Sequence, residues 1–211
     1  MMSPLDELIN KRRSVRKYKA DVPPEEWINS MIRCAVMAPS PTNSQPVRFI
    51  KISSPEIRNN LHQAMADGRQ RLLQSAMTSS TPNKLKNRIN IYWRFSKFMF
   101  DAPLLFAVGV VSPTQGTSGK LHQAGINKKV SRGDTDLNIT AGLALKGFLL
   151  KGEELGLGTC ILTAPFNFTR DIEKILGIKD IVIKCFVTIG FPDEKPFTPV
   201  RKNITDIYSE I

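Results

Sequence analysis

The chain has 211 residues and 23.6 kDa, with 41% hydrophobic and 23% charged residues, enough for one domain around a single sizeable core. Its longest apolar stretch, Pro103 to Val111, is far below the ~20 residues of a membrane span; the widely spaced Cys34, Cys160 and Cys185 exclude a disulfide framework, and His62 and His122 are too few for a histidine-rich metal centre. Thirty basic against 19 acidic residues leave a net charge of +11, which attracts nucleic acid, anionic membrane or a phosphorylated ligand, yet the cations fall in three separate segments and form no single recognition stripe.

Ser3-Pro4 has the form of an N-cap and first helical residue, and Leu5, Leu8 and Ile9 share one face, so a short helix is expected to run into Arg12 and Arg13. A second helix is predicted from about Pro23-Pro24-Glu25, with Trp27, Ile28, Met31, Ile32, Ala35 and Val36 at helical spacing until Pro39. Val47 to Ile52 alternates as a strand does, which puts Arg48 and Lys51 on different faces. Ser54-Pro55-Glu56 then opens a third helix carrying Ile57, Leu61, Met65, Leu72 and Leu73. After a Ser/Thr/Pro/Asn loop at Ser79 to Asn83, another helical segment carries Ile89, Tyr92, Trp93, Phe95, Phe98 and Met99. Aromatics at helical spacing are usually core, and core packing is the expectation here, with a pocket lining as the alternative.

Leu104 to Val111 is continuously apolar, as a central strand is, and Ser112 to Gly133 lacks periodicity, reading as a lid or as disorder. A long, mostly buried helix is expected from Asp134 to Leu155, closed by Gly156-Leu157-Gly158. Thr159 to Ala164 is predicted as a short strand, Thr169 to Leu176 as a capped short helix, and Ile181 to Ile189 as a last core strand before Gly190-Phe191-Pro192. Lys195 to Ile211 has no evident place in a monomer core. No repeat or linker divides residues 1–211, and four apolar strands among helices indicate one layered α+β or α/β domain. The Met-Met-Ser-Pro-Leu-Asp-Glu start is unlike a signal peptide, so a cytoplasmic protein without a membrane partner is expected.

Four segments carry candidate chemistry. Arg12-Arg13-Ser14-x-Arg16 places three guanidinium groups and a hydroxyl close together, the donor set that holds a phosphate dianion, though a solvated basic helix end has the same composition. Pro39-Ser40-Pro41-Thr42-Asn43-Ser44-Gln45 offers amide and hydroxyl groups to the polar edge of a heterocycle, or simply caps its own turns. Leu155 to Thr163 joins a helix end to a strand through small residues. A Rossmann fingerprint needs the strand before the glycines and the helix after them, so this order argues against dinucleotide binding of that kind. Arg201-Lys202 adds two cations near the C-terminus, either meeting the N-terminal arginines around one anion or belonging to a frayed basic tail.

Taken in order, these segments resemble the nitroreductase family of FMN-dependent oxidoreductases over nearly the whole chain. Arg12 to Tyr18 is similar to that family's opening signature, Ala38 to Pro46 to its second and Glu154 to Cys160 to its third, while Leu176 to Pro192 and Arg201-Lys202 resemble its closing strand and tail. The resemblance implies an α+β three-layer sandwich with a mainly antiparallel sheet, and a homodimer that exchanges C-terminal tails and binds FMN at its interface. It implies that Arg12, Arg13, Ser14 and Arg16 hold phosphate, ribityl and pyrimidine edge, with Arg201 or Lys202 completing the phosphate site. Pro39, Ser40, Asn43 and Gln45 would come from the other subunit, and the backbone at Leu162 and Thr163 would lie beside the reactive flavin face.

The implied activity passes a hydride from NADH or NADPH through flavin N5 to a nitroaromatic, quinone or other small acceptor by a ping-pong mechanism. The protein then supplies position and electrostatics, with no catalytic side chain and no metal site. Two positions depart from the family pattern. Lys146-Gly147-Phe148 stands where members often have an Asn, and Phe95 and Phe98 occupy the places of an Asn-x-x-Lys pair. The competing readings are a flavin-binding sensor or carrier without turnover and, with less support, a basic nucleic-acid-binding domain, for which no readout element is found. One FMN phosphate carries about −1.5 to −2, by analogy with other phosphate monoesters, so most of the +11 must answer to something else.

Overall fold

The computed structural model describes residues 2–111, 124, 125 and 135–211. The first helix, α1 (Pro4–Lys11), starts where Ser3 and Asp6 exchange capping hydrogen bonds; its Leu5 and Ile9 remain exposed and none of its residues is buried. Helix α2 (Glu25–Val36) buries Ile28, Met31 and Ala35, spaced three and four residues apart. A 3₁₀ turn at Pro41–Asn43 leads into β1 (Val47–Lys51). Ser54 Oγ accepts from the Ile57 N–H to begin α3 (Pro55–Met77), after which come α4 (Pro82–Lys97) and β2 (Leu104–Val111). Then follow α5 (Thr135–Glu154), β3 (Gly158–Leu162), the single-turn α6 (Ile172–Ile175) and β4 (Ile181–Gly190). The third strand is shorter than Thr159 to Ala164, because Ala164–Asn167 turns into a 3₁₀ helix as soon as Pro165 removes a ladder donor. Apart from Ala124 and Gly125, the Ser112 to Gly133 segment lies outside the described residues.

The four strands lie in the order β1-β2-β4-β3, all antiparallel. Strand β2 is central, which is why it is apolar on both sides. Leu104, Phe106 and Val108 point into a core that α2 and α5 cover through Ile28, Met31, Leu145 and Phe148. Leu105 and Ala107 point the other way, into a core shared with Leu61 and Met65 of α3, Phe168 and Phe186. The molecule is therefore an α+β three-layer sandwich, helices on both faces of an antiparallel sheet. No helix among the described residues is long and apolar enough to cross a membrane.

Two glycines permit close approach within the two outer layers. A Cβ on Gly147 of α5 would lie 3.1 Å from the Cys34 carbonyl oxygen of α2, so the departure at this position lets two helices approach closely. A Cβ on Gly68 of α3 would fall 1.6 Å from the Phe168 carbonyl oxygen. The aromatic segment of α4 divides. Ile89, Trp93 and Phe98 pack on the second core as expected, but Tyr92, at the flank of that helix face, and Phe95, turned away from it, are each 50% exposed. Toward the C-terminus Phe197, Val200, Ile204, Ile207 and Tyr208 are all exposed.

Candidate functional site

The site is built on the outer edge of β3. As the chain leaves α1 at Arg12 it turns extended and runs along that edge: the Val15 N–H donates to the Thr159 carbonyl at 3.0 Å, and Ser14 pairs with Thr159 as a parallel bridge. Gly158 makes this docking possible, since a Cβ there would come within 2.8 Å of the Val15 side chain. With Val15 buried, the alternation of an extended chain turns its neighbours Ser14 and Arg16 away from the core.

The segment after β4 holds the arginine segment from its other end. The Lys19 N–H donates to Phe191 O at 2.9 Å, and the Asp193 N–H donates to Lys17 O at 3.0 Å. Glu194 Oε1 accepts from the backbone N–H groups of both Arg16 and Lys17. Below them, the buried Tyr18 hydroxyl shares a hydrogen bond with Thr188 Oγ1 at 2.7 Å, and burial pushes its pKa up. Neither Glu194 nor the Tyr18–Thr188 pair was marked in the sequence. Their partners lie about 170 residues away, and no local pattern signals such a pairing.

Three guanidinium groups crowd the start of this segment. Burial holds Arg12 below the usual arginine pKa, and the positive charges of Arg13 and Arg201 lower it further. Glu153, at the end of α5, opposes that shift; its own carboxyl is raised by burial against the pull of Arg12, Arg13 and Lys11. Arg13 donates to Arg12 O at 2.8 Å and to Thr198 Oγ1 at 3.4 Å, while its Nε is buried with no partner. A buried, unpaired guanidinium nitrogen among like charges is costly unless an anion completes the shell. The chemistry of this donor set fits a phosphate. Lys202 lies next to Arg201 in the exposed tail.

The loop carrying Pro39, Ser40, Asn43 and Gln45 lies elsewhere. It enters β1, at the opposite sheet edge from β3, about 14 Å away at three strand spacings. Within one chain, therefore, the two halves of the predicted site are not brought together. The loop is strained: Thr42, Asn43 and Gln45 have φ of 52°, 55° and 43°. Short polar bonds hold it, with the Gln45 N–H donating to Ser40 Oγ at 3.0 Å and Gln45 Nε2 donating to Asn43 Oδ1 at 3.0 Å. Three left-handed non-glycine residues so close together are the kind of strain that accumulates at binding sites.

Leu162 ends β3 with its side chain in the core, leaving only backbone to offer, and Thr163 lies beyond the last ladder pair, Leu162 with Phe186. Cys160 is buried beneath Ser14 and Arg16. Burial raises its pKa, with Arg16 and the Ser14 hydroxyl pulling the other way, so at neutral pH it stays a thiol. One further residue joins the site: the Arg16 guanidinium lies 5.4 Å from the centre of the exposed Phe95 ring. Among the described residues no group of His, Cys, Asp and Glu is arranged to hold a metal ion.

Comparison with known proteins identifies the family. The family model described as "Nitroreductase family" matches residues 9–191. A Bacillus subtilis protein named YfhC, assigned provisionally as an NAD(P)H nitroreductase, is 25% identical over 210 residues, covering 99% of this chain and 95% of its own. An iodotyrosine deiodinase of Thermotoga neapolitana is 25% identical over 203 residues, covering 94% of each. Among solved structures, a BluB-like flavoprotein from Clostridium difficile superposes with a TM-score of 0.84 at 26% identity, covering 100% of both chains.

Proposed function

The chain belongs to the nitroreductase family, and from that membership we propose that it is an FMN-dependent oxidoreductase working as a homodimer. FMN, which Arg12, Arg13, Ser14, Arg16 and Arg201 would hold, would supply two-electron redox chemistry between NADH or NADPH and a small nitroaromatic or quinone acceptor, in a ping-pong sequence. The single observation that carries the reading is the cluster of Arg12, Arg13 and Arg201 with its orphaned Arg13 Nε.

In this account each residue has a binding or orienting role. Arg12, Arg13 and Arg201, with Lys202 beside them, hold the phosphate, and Ser14 and Arg16 face the ribityl chain and pyrimidine edge. Positive charge at that edge would favour electron uptake by the bound group. Glu194 fixes Arg16 and Lys17 through their backbone. The backbone at Leu162 and Thr163 lines the reactive face, and Pro39, Ser40, Asn43 and Gln45 approach from the partner. The dimer is supported by the 14 Å separation within one chain, by the exposed apolar Leu5, Val36, Met37 and Ile139, and by a tail with no core of its own.

The test is titration of flavin-free protein with FMN and with riboflavin, followed by rapid-mixing measurement of the two half-reactions. FMN is expected to bind more tightly than riboflavin, and Arg13→Ala to lose about 10- to 100-fold in FMN affinity while leaving riboflavin nearly unchanged. Equal FMN affinity in the variant removes Arg13 from the phosphate site. The Thermotoga relative favours a second reading, reductive removal of iodide from an iodinated aromatic. Iodide released from 3-iodotyrosine by the reduced protein would establish it.

A further inference from the structure

A cleft of about 470 Å³ opens where β1 ends and β2 begins, at the far end of β1 from the strained loop, and none of the residues lining it belongs to the proposed flavin site. Val22, Pro55 and Pro103 wall it above the buried Leu105, and Lys51 and Arg58 are the charged residues that line it. A volume in this range, with mostly apolar walls and a few placed polar groups, is the form of a small-ligand site. The two cations differ. Lys51 Nζ lies 2.6 Å from Glu25 Oε2, which answers its charge. Arg58 is half-buried and forms no ion pair among the described residues, although Asp21, Glu56 and Asp101 lie close to the lining residues along the chain. Its Nε donates to Ile52 O at 3.0 Å and its Nη1 to Ala102 O at 3.1 Å, which ties the exit of β1 to the approach of β2. Those two bonds fix the guanidinium plane and leave Nη2 without a described protein partner. Burial holds the Arg58 pKa below the usual arginine value, yet a guanidinium keeps its proton. A charge drawn partly out of water with no counter-charge favours an anion beside it.

We propose that this cleft is a second ligand site, and that it takes a small carboxylate with a short apolar body. The carboxylate lies against Arg58, with Lys51 at the rim, and the apolar body covers Val22, Pro55 and Pro103. The charge balance selects the head group: two cations, Lys51 and Arg58, against one carboxylate, Glu25, leave a single positive charge, which a monoanion neutralises and a phosphate dianion exceeds. The apolar walls select the body, since Val22 is 62% exposed and gains by being covered. Because its two backbone bonds already hold Arg58 in place, binding costs that side chain little further freedom. The site stands whether or not the protein carries a flavin.

The experiment titrates the protein as purified with butanoate, hexanoate and the uncharged hexanamide by calorimetry, with its visible spectrum recorded alongside. Hexanoate is expected to bind about tenfold more tightly than hexanamide, and more tightly than butanoate, with no change in the visible spectrum. Val22→Asp, at an exposed position on the rim, is expected to weaken hexanoate about fivefold and hexanamide less. Arg58→Gln should erase the preference for the anion. Hexanoate that binds no more tightly than hexanamide overturns the proposal. So does a preference that survives both substitutions in variants unfolding at the parent temperature, or one accompanied by a shift of a flavin band, which would put the ligand beside the flavin. Where Arg58→Gln fails to fold, Val22→Asp decides alone. None of these failures touches the flavin reading, which the FMN titration tests separately.

Discussion

At the scale of single residues, burial governs the chemistry more than sequence neighbours do. Cys185 lies in the core with its pKa pushed up to about 12, against about 8.5 for a free thiol. A raised acid favours the folded state only while it stays protonated in both states, so its contribution is complete below pH ~8.5 and is lost as pH rises toward 12. Chemical denaturation between pH 8 and 10.5 should show stability falling with pH, and falling less steeply in Cys185→Ala; identical slopes would contradict the assignment. The arginines show how far single residues can be read from sequence. Their number and spacing suit an anion site or a solvated basic helix end, and the residues around them, Glu153, Glu194 and Phe95, come from distant parts of the chain. Folding alone makes them neighbours.

At the scale of elements, close approach matters as much as apolar pattern. Strand β2 was legible because a central strand must be apolar on both faces, and α2 because its apolar residues recur at helical spacing. The fate of α4 was not, since its aromatics are distributed around the helix and periodicity alone does not say which of them face solvent. The tight glycines were silent too, because a contact of glycine with a distant backbone leaves no local trace. Gly68 gives the sharpest test of layer packing. Gly68→Ala would gain about 1 kcal/mol of helix propensity, yet its methyl would sit 1.6 Å from the Phe168 carbonyl oxygen, so α3 or the Phe168 segment has to move. We expect a net loss of about 1–3 kcal/mol, read as a fall of several degrees in the unfolding temperature; an unchanged temperature would show that this contact yields freely.

At the scale of the whole molecule, the two halves of the proposed site are set apart within one chain. The arginine segment and the strained polar loop lie at opposite sheet edges, and apolar residues of α1, α2, α5 and the tail remain exposed among the described residues. The proposed homodimer would join both sets at once. Removing residues 197–211 is expected to shift the protein toward monomer in sedimentation and to deplete its flavin, through loss of Arg201 and of the tail's apolar contacts; a truncated protein that stays dimeric and retains flavin would place the interface elsewhere. The central claim, that the chain uses FMN to move electrons from a nicotinamide, is tested most directly by the visible spectrum of the purified protein, with the chromophore released and identified and NADH or NADPH then added without oxygen. A yellow protein is expected, whose chromophore is FMN and which bleaches with a nicotinamide and recovers when a nitroaromatic or quinone is admitted. A protein that neither carries nor binds FMN, or whose FMN resists both nicotinamides, would contradict it.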